Sequence, residues 1–207
     1  MNSLTAIVFG VLAAVVLLLL GSIVAAFLAN SPDRSAADLL APLNRTRGGT
    51  FRRVAPGRTM LEYVDDTGTV LVGYWKQRDT GALVAKPSLS VRWRPSRASE
   101  SPEFMLRLAT GPGVQTTVSG FQRTASPLRV PDRTFDLFVR PFLSEREREQ
   151  LAARLVVVLS DARDTSALVA LAHLEGHFSV QLQETVATSE RTEALLQGVL
   201  ALLGKIA

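Results

Sequence analysis

The chain has 207 residues, 47% of them hydrophobic and 20% charged, with a net charge of +4 and no cysteine. Without cysteine there is no disulfide framework, no thiolate-held iron–sulfur cluster, no covalent c-type haem and no lipidation at a thiol. The basic excess is carried by arginine, twenty against three lysines, in a chain long enough for one domain or two small lobes.

Leu4 to Ala29 contains no charged side chain, and nearly every position is Leu, Val, Ile, Ala, Gly or Phe. As a helix, about 26 residues rising ~1.5 Å each cover ~39 Å, enough to cross a ~30 Å hydrocarbon core with some tilt. Residues 1–30 are therefore expected to form a transmembrane anchor helix. A cleaved signal peptide fits less well. Met1, Asn2 and Ser3 supply no basic n-region, and the run exceeds the ~7–15 apolar residues of a signal core.

Lysine and arginine are absent before this span, whereas Arg34, Arg45, Arg47, Arg52, Arg53 and Arg58 follow it. The positive-inside rule then puts the N-terminus outside and the C-terminal domain in the cytoplasm. Gly10, Ala14, Gly21 and Ala25 recur at spacings that share one helical face. Small residues there let another transmembrane helix approach closely in lipid. No ionisable group lies in the span, which argues against a proton relay or a histidine-ligated cofactor inside the membrane.

Residues 31–55 read as an arginine-rich juxtamembrane linker. Ser31-Pro32-Asp33-Arg34 reads as a turn, Ala36 to Leu43 as a short interfacial helical turn closed by Pro42, and Gly48-Gly49 as a loosening of the chain. Arg45, Arg47, Arg52, Arg53 and Arg58 make a basic neck. Anionic lipid headgroups favour such cations by ~1 kcal/mol each near the surface, and an acidic partner is the other natural counterpart. Nucleic acid is not expected, because no aromatic-and-basic reading module accompanies the arginines.

Residues 56–207 are expected to form the soluble domain. Across 56–141 the signal is strand. Met60–Val64 and Thr69–Gln77 flank the hairpin turn Asp65-Asp66-Thr67-Gly68. Leu89, Val91 and Trp93 alternate with Ser88, Ser90, Arg92 and Arg94. Phe104, Leu106 and Leu108 alternate with Met105 and Arg107. Val114–Phe121 is Thr- and Val-rich, and Phe135, Leu137 and Val139 alternate with Asp136 and Phe138. One packed and one wet face is the antiparallel pattern.

Across 142–207 the order is helix, hairpin, helix. Ser144 with Glu147 is a capping box opening a helix to about Leu159, with Leu151, Leu155, Val158 and Leu159 inward. Leu168–Leu174 and His177–Val186 pair around Glu175-Gly176, although the Ala and Leu of the first run also suit a helix. Thr188 or Ser189 caps a last helix with a stripe of Leu195, Leu196, Val199, Leu202, Leu203 and Ile206. The fold class is thus α+β, one N-terminal transmembrane helix followed by an antiparallel β-sheet domain with two covering helices.

Three patterns resemble chemistry. Asp66-Thr67-Gly68 matches the short triplet of aspartic proteases, and Leu202-Leu203-Gly204 matches their hydrophobic-hydrophobic-glycine element. A single triplet in a hairpin turn reads as a turn, and the second element lies in a helical pattern. His173 and His177 stand at i, i+4, a metal-ligand spacing on a helix. A tight turn at Glu175-Gly176 instead sends the two rings apart. No glycine-rich phosphate loop, nucleophile motif or metal-ligand set is present, so no catalytic residue, cofactor or metal is assigned.

The expected function is therefore a non-catalytic, single-pass accessory or scaffold subunit of a larger, bacterial membrane protein complex. Its partners are other transmembrane helices and anionic headgroups. A respiratory or photosynthetic complex is a natural host, and the sequence selects neither. The alternative is a stand-alone membrane-tethered domain binding a ligand or peptide, with a hydrolase third.

Overall fold

The computed structural model describes residues 32–55, 58–77, 86–109, 118–162, 167–183 and 188–207. The transmembrane expectation for residues 1–30, with its face of Gly10, Ala14, Gly21 and Ala25, lies outside them. Among the described residues no helix is long and apolar enough to cross a membrane.

The described chain begins with helix α1 (Pro32–Arg47) and strands β1 (Thr50–Ala55), β2 (Arg58–Asp65), β3 (Gly68–Gln77), β4 (Lys86–Pro95) and β5 (Phe104–Leu108). Short strands β6 (Gln122–Arg123) and β7 (Leu128–Val130) precede β8 (Arg133–Val139). Helix α2 (Glu145–Ser160), strands β9 (Leu168–Leu174) and β10 (His177–Gln183), and helix α3 (Ser189–Ile206) complete it. The ten strands form one sheet in the order β1-β2-β3-β4-β10-β9-β5-β8-β6, with β7 also on β8. Every pairing is antiparallel. The β9–β10 hairpin thus drops between β4 and β5 and joins the N-terminal meander to the later strands.

The architecture is α+β, as the alternation predicts, but three helices rather than two pack into the core. The difference is α1, which lies where a linker is expected. Ala36, Leu40 and Leu43 are buried in the main core, and α1 rests on β2, β3 and α3. Pro42 does not close the helix, which runs on to Arg47. An interior proline costs ~3 kcal/mol. Burying a leucine side chain contributes ~1.5–3 kcal/mol, so Leu40 and Leu43 together offset that cost.

Gly48-Gly49 does not loosen the chain either. Gly48 adopts φ 62, ends α1 and bonds back to the Asn44 carbonyl at 2.9 Å. The Gly49 amide bonds to Asn44 Oδ1 at 2.9 Å. A Cβ on Gly49 would stand 2.6 Å from the Glu62 carbonyl, so only glycine lets the backbone press this closely on β2.

The turns follow their expected chemistry. Asp65 pairs with Gly68 across the β2–β3 turn, and Asp65 Oδ1 accepts from the Thr67 amide, the Thr67 hydroxyl and the Gly68 amide. The triplet Asp66-Thr67-Gly68 is thus a hairpin turn. Glu175 (φ 51) and Gly176 (φ 72) form the two-residue turn of the β9–β10 hairpin, and Leu168–Leu174 is strand, not helix. The strand expected over Val114–Phe121 lies largely outside the described residues; Val118 to Phe121 turn, with a 3.0 Å bond from the Phe121 amide to the Val118 carbonyl.

Capping fixes the later helices. Ser144 and Glu147 make the reciprocal capping box of α2, whose buried residues are Leu151, Leu155, Val158 and Leu159. Thr188 caps α3 through the Arg191 amide. At the far end of α3, Ser101 and Arg154 donate to the Ile206 and Lys205 carbonyls, which have no partner within the helix.

One face of the sheet carries the core. Its register lines up Trp93, Phe178, His173 and Phe104 on four neighbouring strands. Phe178 stacks on His173 at 4.2 Å and meets Trp93 at 5.7 Å. The opposite face shows Arg92, Ser179, Ala172 and Met105 along the next row. Met60 and Phe138 are buried there but stand outside the main core.

Candidate functional site

The predicted site residues fall into two groups. Gly10, Ala14, Gly21 and Ala25 lie outside the described residues. The five neck arginines lie within them and gather at one edge of the sheet. Arg45 and Arg47 occupy the last turn of α1, where cations suit the helix dipole. Arg52 and Arg53 stand on β1, the edge strand, and Arg58 opens β2; all are exposed. Arg52 pairs with Glu62 across the strands at 2.7 Å.

The basic neck is therefore a folded basic edge. The expectation of a linker is corrected by the packing of α1, which fixes where these side chains start. Phe51 and Val54 on the same edge strand are 39% and 47% exposed. Arginines on an edge strand also oppose unwanted strand pairing.

Tyr63, under α1, shows the field of this edge. Burial raises its phenol to about 12, opposed by the nearby Arg47 charge. Among the described residues its buried hydroxyl has no hydrogen-bond partner, and neither have Trp93 Nε1 and His173 Nε2.

The two histidines diverge, as the tight turn predicts. His173 is buried and its Nδ1–H donates to the Pro102 carbonyl at 3.1 Å, since a carbonyl only accepts. His177 is exposed and bonds to the Glu175 carbonyl at 2.9 Å. Leu202-Leu203-Gly204 lies within α3. Among the described residues no group of three His, Asp or Glu side chains is placed to hold a metal.

Two features escape the sequence. The first is a carboxylate staple. Glu103 accepts from the Glu175 amide and from Arg140 Nε, each at 2.7 Å. These bonds, that to the Glu175 amide foremost, hold its carboxyl below the ordinary value of 4.5. Arg140 also covers the Phe121 ring at 4.3 Å. The staple ties the start of β5 to the end of β8 and to the β9–β10 turn. Its spacing of 37 and 72 residues leaves no local sequence signal.

The second is a cavity of about 240 Å³ between α2, α3 and the β9–β10 hairpin. Val158, Leu168, Val180, Leu182 and Val199 give it apolar walls, and Ala194 and Gly198 leave room along α3. Lys205 and Asp161 stand at its rim, 3.9 Å apart and both exposed. The apolar stripe of α3 is legible in the sequence, but the gap between two helices is set by their spacing.

No family model and no curated protein matches the chain. Among solved structures it is similar to a crystal structure of the mycobacterial trehalose monomycolate transport factor A. The identity is 10%, the TM-score 0.49, and the match covers 86% of this chain and 97% of that one. That likeness assigns no activity or partner here.

Proposed function

We propose that this chain is a non-catalytic, single-pass accessory subunit of a larger membrane complex, with its folded domain in the cytoplasm. The observation that carries the reading is the packing of α1. The apolar run ends at Ala29 in the sequence, and by Ala36 the chain is already part of the core. A span at Leu4–Ala29 is thus joined to the domain by a few residues rather than by a long tether. The arginine asymmetry supports a cytoplasmic domain. The small-residue face of Gly10, Ala14, Gly21 and Ala25 supports docking on other transmembrane helices. The basic edge at Arg45, Arg47, Arg52, Arg53 and Arg58 suits anionic headgroups beside that span.

The test is co-purification of the full chain with its partners in mild detergent. Gly21→Leu, on the docking face, displaces the chain from its complex, while a bulky change at Leu19, off that face, is tolerated. Gly21→Leu recovered with partners at wild-type level overturns docking by the span.

The cavity between α2 and α3 supports a second reading, a membrane-tethered domain that binds an apolar ligand. Apolar pockets with a few polar groups at the rim are the usual form of such sites. Gly198→Leu fills the cavity. Under the second reading it removes a small apolar molecule detected by native mass spectrometry of the full chain. Under the first it leaves partner recovery unchanged.

A further inference from the structure

The sheet face that no helix covers among the described residues carries a trough of about 220 Å³ across β4, β10, β9 and β5. Small side chains, Ser90, Ser179, Ala170 and Ala172, line the middle of it. Gln181 bends onto the Ser88 hydroxyl at 3.1 Å, and Met105 and Leu174 add larger apolar side chains to the lining. Arg92 on β4 and Arg107 on β5 stand exposed on the two sides. Neither is in an ion pair among the described residues. Asp136 lies opposite Arg107 in register, but its carboxylate is taken by Arg123.

The dimensions select the occupant. β10 and β9 separate β4 from β5, so the two arginine rows stand three strand spacings apart, about 14 Å at ~4.8 Å each. A helix with its side chains is ~10–12 Å wide and fits between them. Small floor residues let its axis approach the sheet, and guanidinium groups at both sides are built for two-pronged pairing with carboxylates. The undescribed segments within residues 1–207 do not carry such a helix. Outside the described residues the chain has only Asp79, Asp164 and Glu184, each in a different segment. A second copy would bring arginine against arginine.

We infer that this trough docks an amphipathic helix of a partner protein, one with a narrow small or apolar stripe flanked on both sides by Asp or Glu. The inference rests on the accessory-subunit reading, whose cytoplasmic contact it names. Arg92 and Arg107 act as the rails that fix the helix direction along β10 and β9, and the floor sets how closely it lies.

The test uses the full chain in nanodiscs of zwitterionic lipid. The probe is a synthetic helical peptide with an Ala/Leu stripe and glutamates on both flanks, read by fluorescence anisotropy. It binds in low salt, and a peptide with lysines in place of the glutamates does not. Arg92→Glu with Arg107→Glu weakens binding at least tenfold. Arg146→Glu on α2, away from this face, changes it less than twofold. Absence of binding, or equal binding by the double variant, overturns the proposal. So does loss of binding to phosphatidylglycerol vesicles in the double variant with no peptide bound, which makes the trough a headgroup site. Partners that still co-purify with the double variant leave the accessory-subunit reading standing and remove this one. Loss of all partners from the wild-type chain removes that reading instead.

Discussion

The two faces of the sheet are built from the same strands and do opposite things. Leu89, Val91 and Trp93 point into the core, while Ser88, Ser90, Arg92 and Arg94 alternate with them on the other side. On β10, Phe178, Val180 and Leu182 face Ser179, Gln181 and Gln183 in the same way. Three helices cover the first face, and among the described residues none covers the second. The covered face holds the fold. The second face buries Met60 and Phe138 as well, but around the trough it carries Arg92 and Arg107, exposed and in no ion pair among the described residues.

The largest effect expected from this contrast is at Phe178, fully buried between Trp93 and His173. Phe178→Ala lowers the unfolding free energy by ~3–5 kcal/mol in denaturant titration of the full chain. Leu40→Ala follows, at ~2–5 kcal/mol, if α1 belongs to the core. A loss under about 0.5 kcal/mol there would return α1 to the status of a linker.

The Glu103 staple gives a smaller effect with a pH signature. Its native carboxyl titrates below 4.5, so the unfolded chain binds the proton more readily. Its contribution is complete above that value and is lost as pH falls through the lower native one. The stability gap between wild type and Glu103→Gln is therefore constant near neutral pH and closes in acid. A gap that persists unchanged into acid contradicts the staple.

The smallest effect is on the uncovered face. Ser179→Ala shifts stability by no more than about 0.5 kcal/mol. A loss several times larger would mean that this face also holds the fold.

Much of the covered face is legible in the sequence because its signals are local. The capping box of Ser144 and Glu147, the Asp65–Gly68 and Glu175-Gly176 turns and the apolar stripe of α3 each lie within a few residues. The role of α1 is harder to read. Ala36, Leu40 and Leu43 have helical spacing, but Pro42 and the arginines beside it mimic a helix end and a solvated neck. The insertion of β9–β10 between β4 and β5 joins segments some ninety residues apart, as in the Gln181–Ser88 bond, and alternation within a strand says nothing about its neighbour. The trough needs that strand order as well. Arg92 and Arg107 read as ordinary wet-face charges until β10 and β9 are placed between them.

We propose that a span at Leu4–Ala29 and the folded domain dock as one body, because α1 is packed so soon after Ala29. The most direct measurement inserts eight Gly/Ser residues between Asn30 and Ser31 and quantifies partner recovery from membranes in mild detergent. The domain and the apolar run are left unchanged by the insertion. Docking as one body makes recovery fall severalfold while the chain stays in the membrane fraction. Recovery at the wild-type level would contradict it and make the span a tether alone.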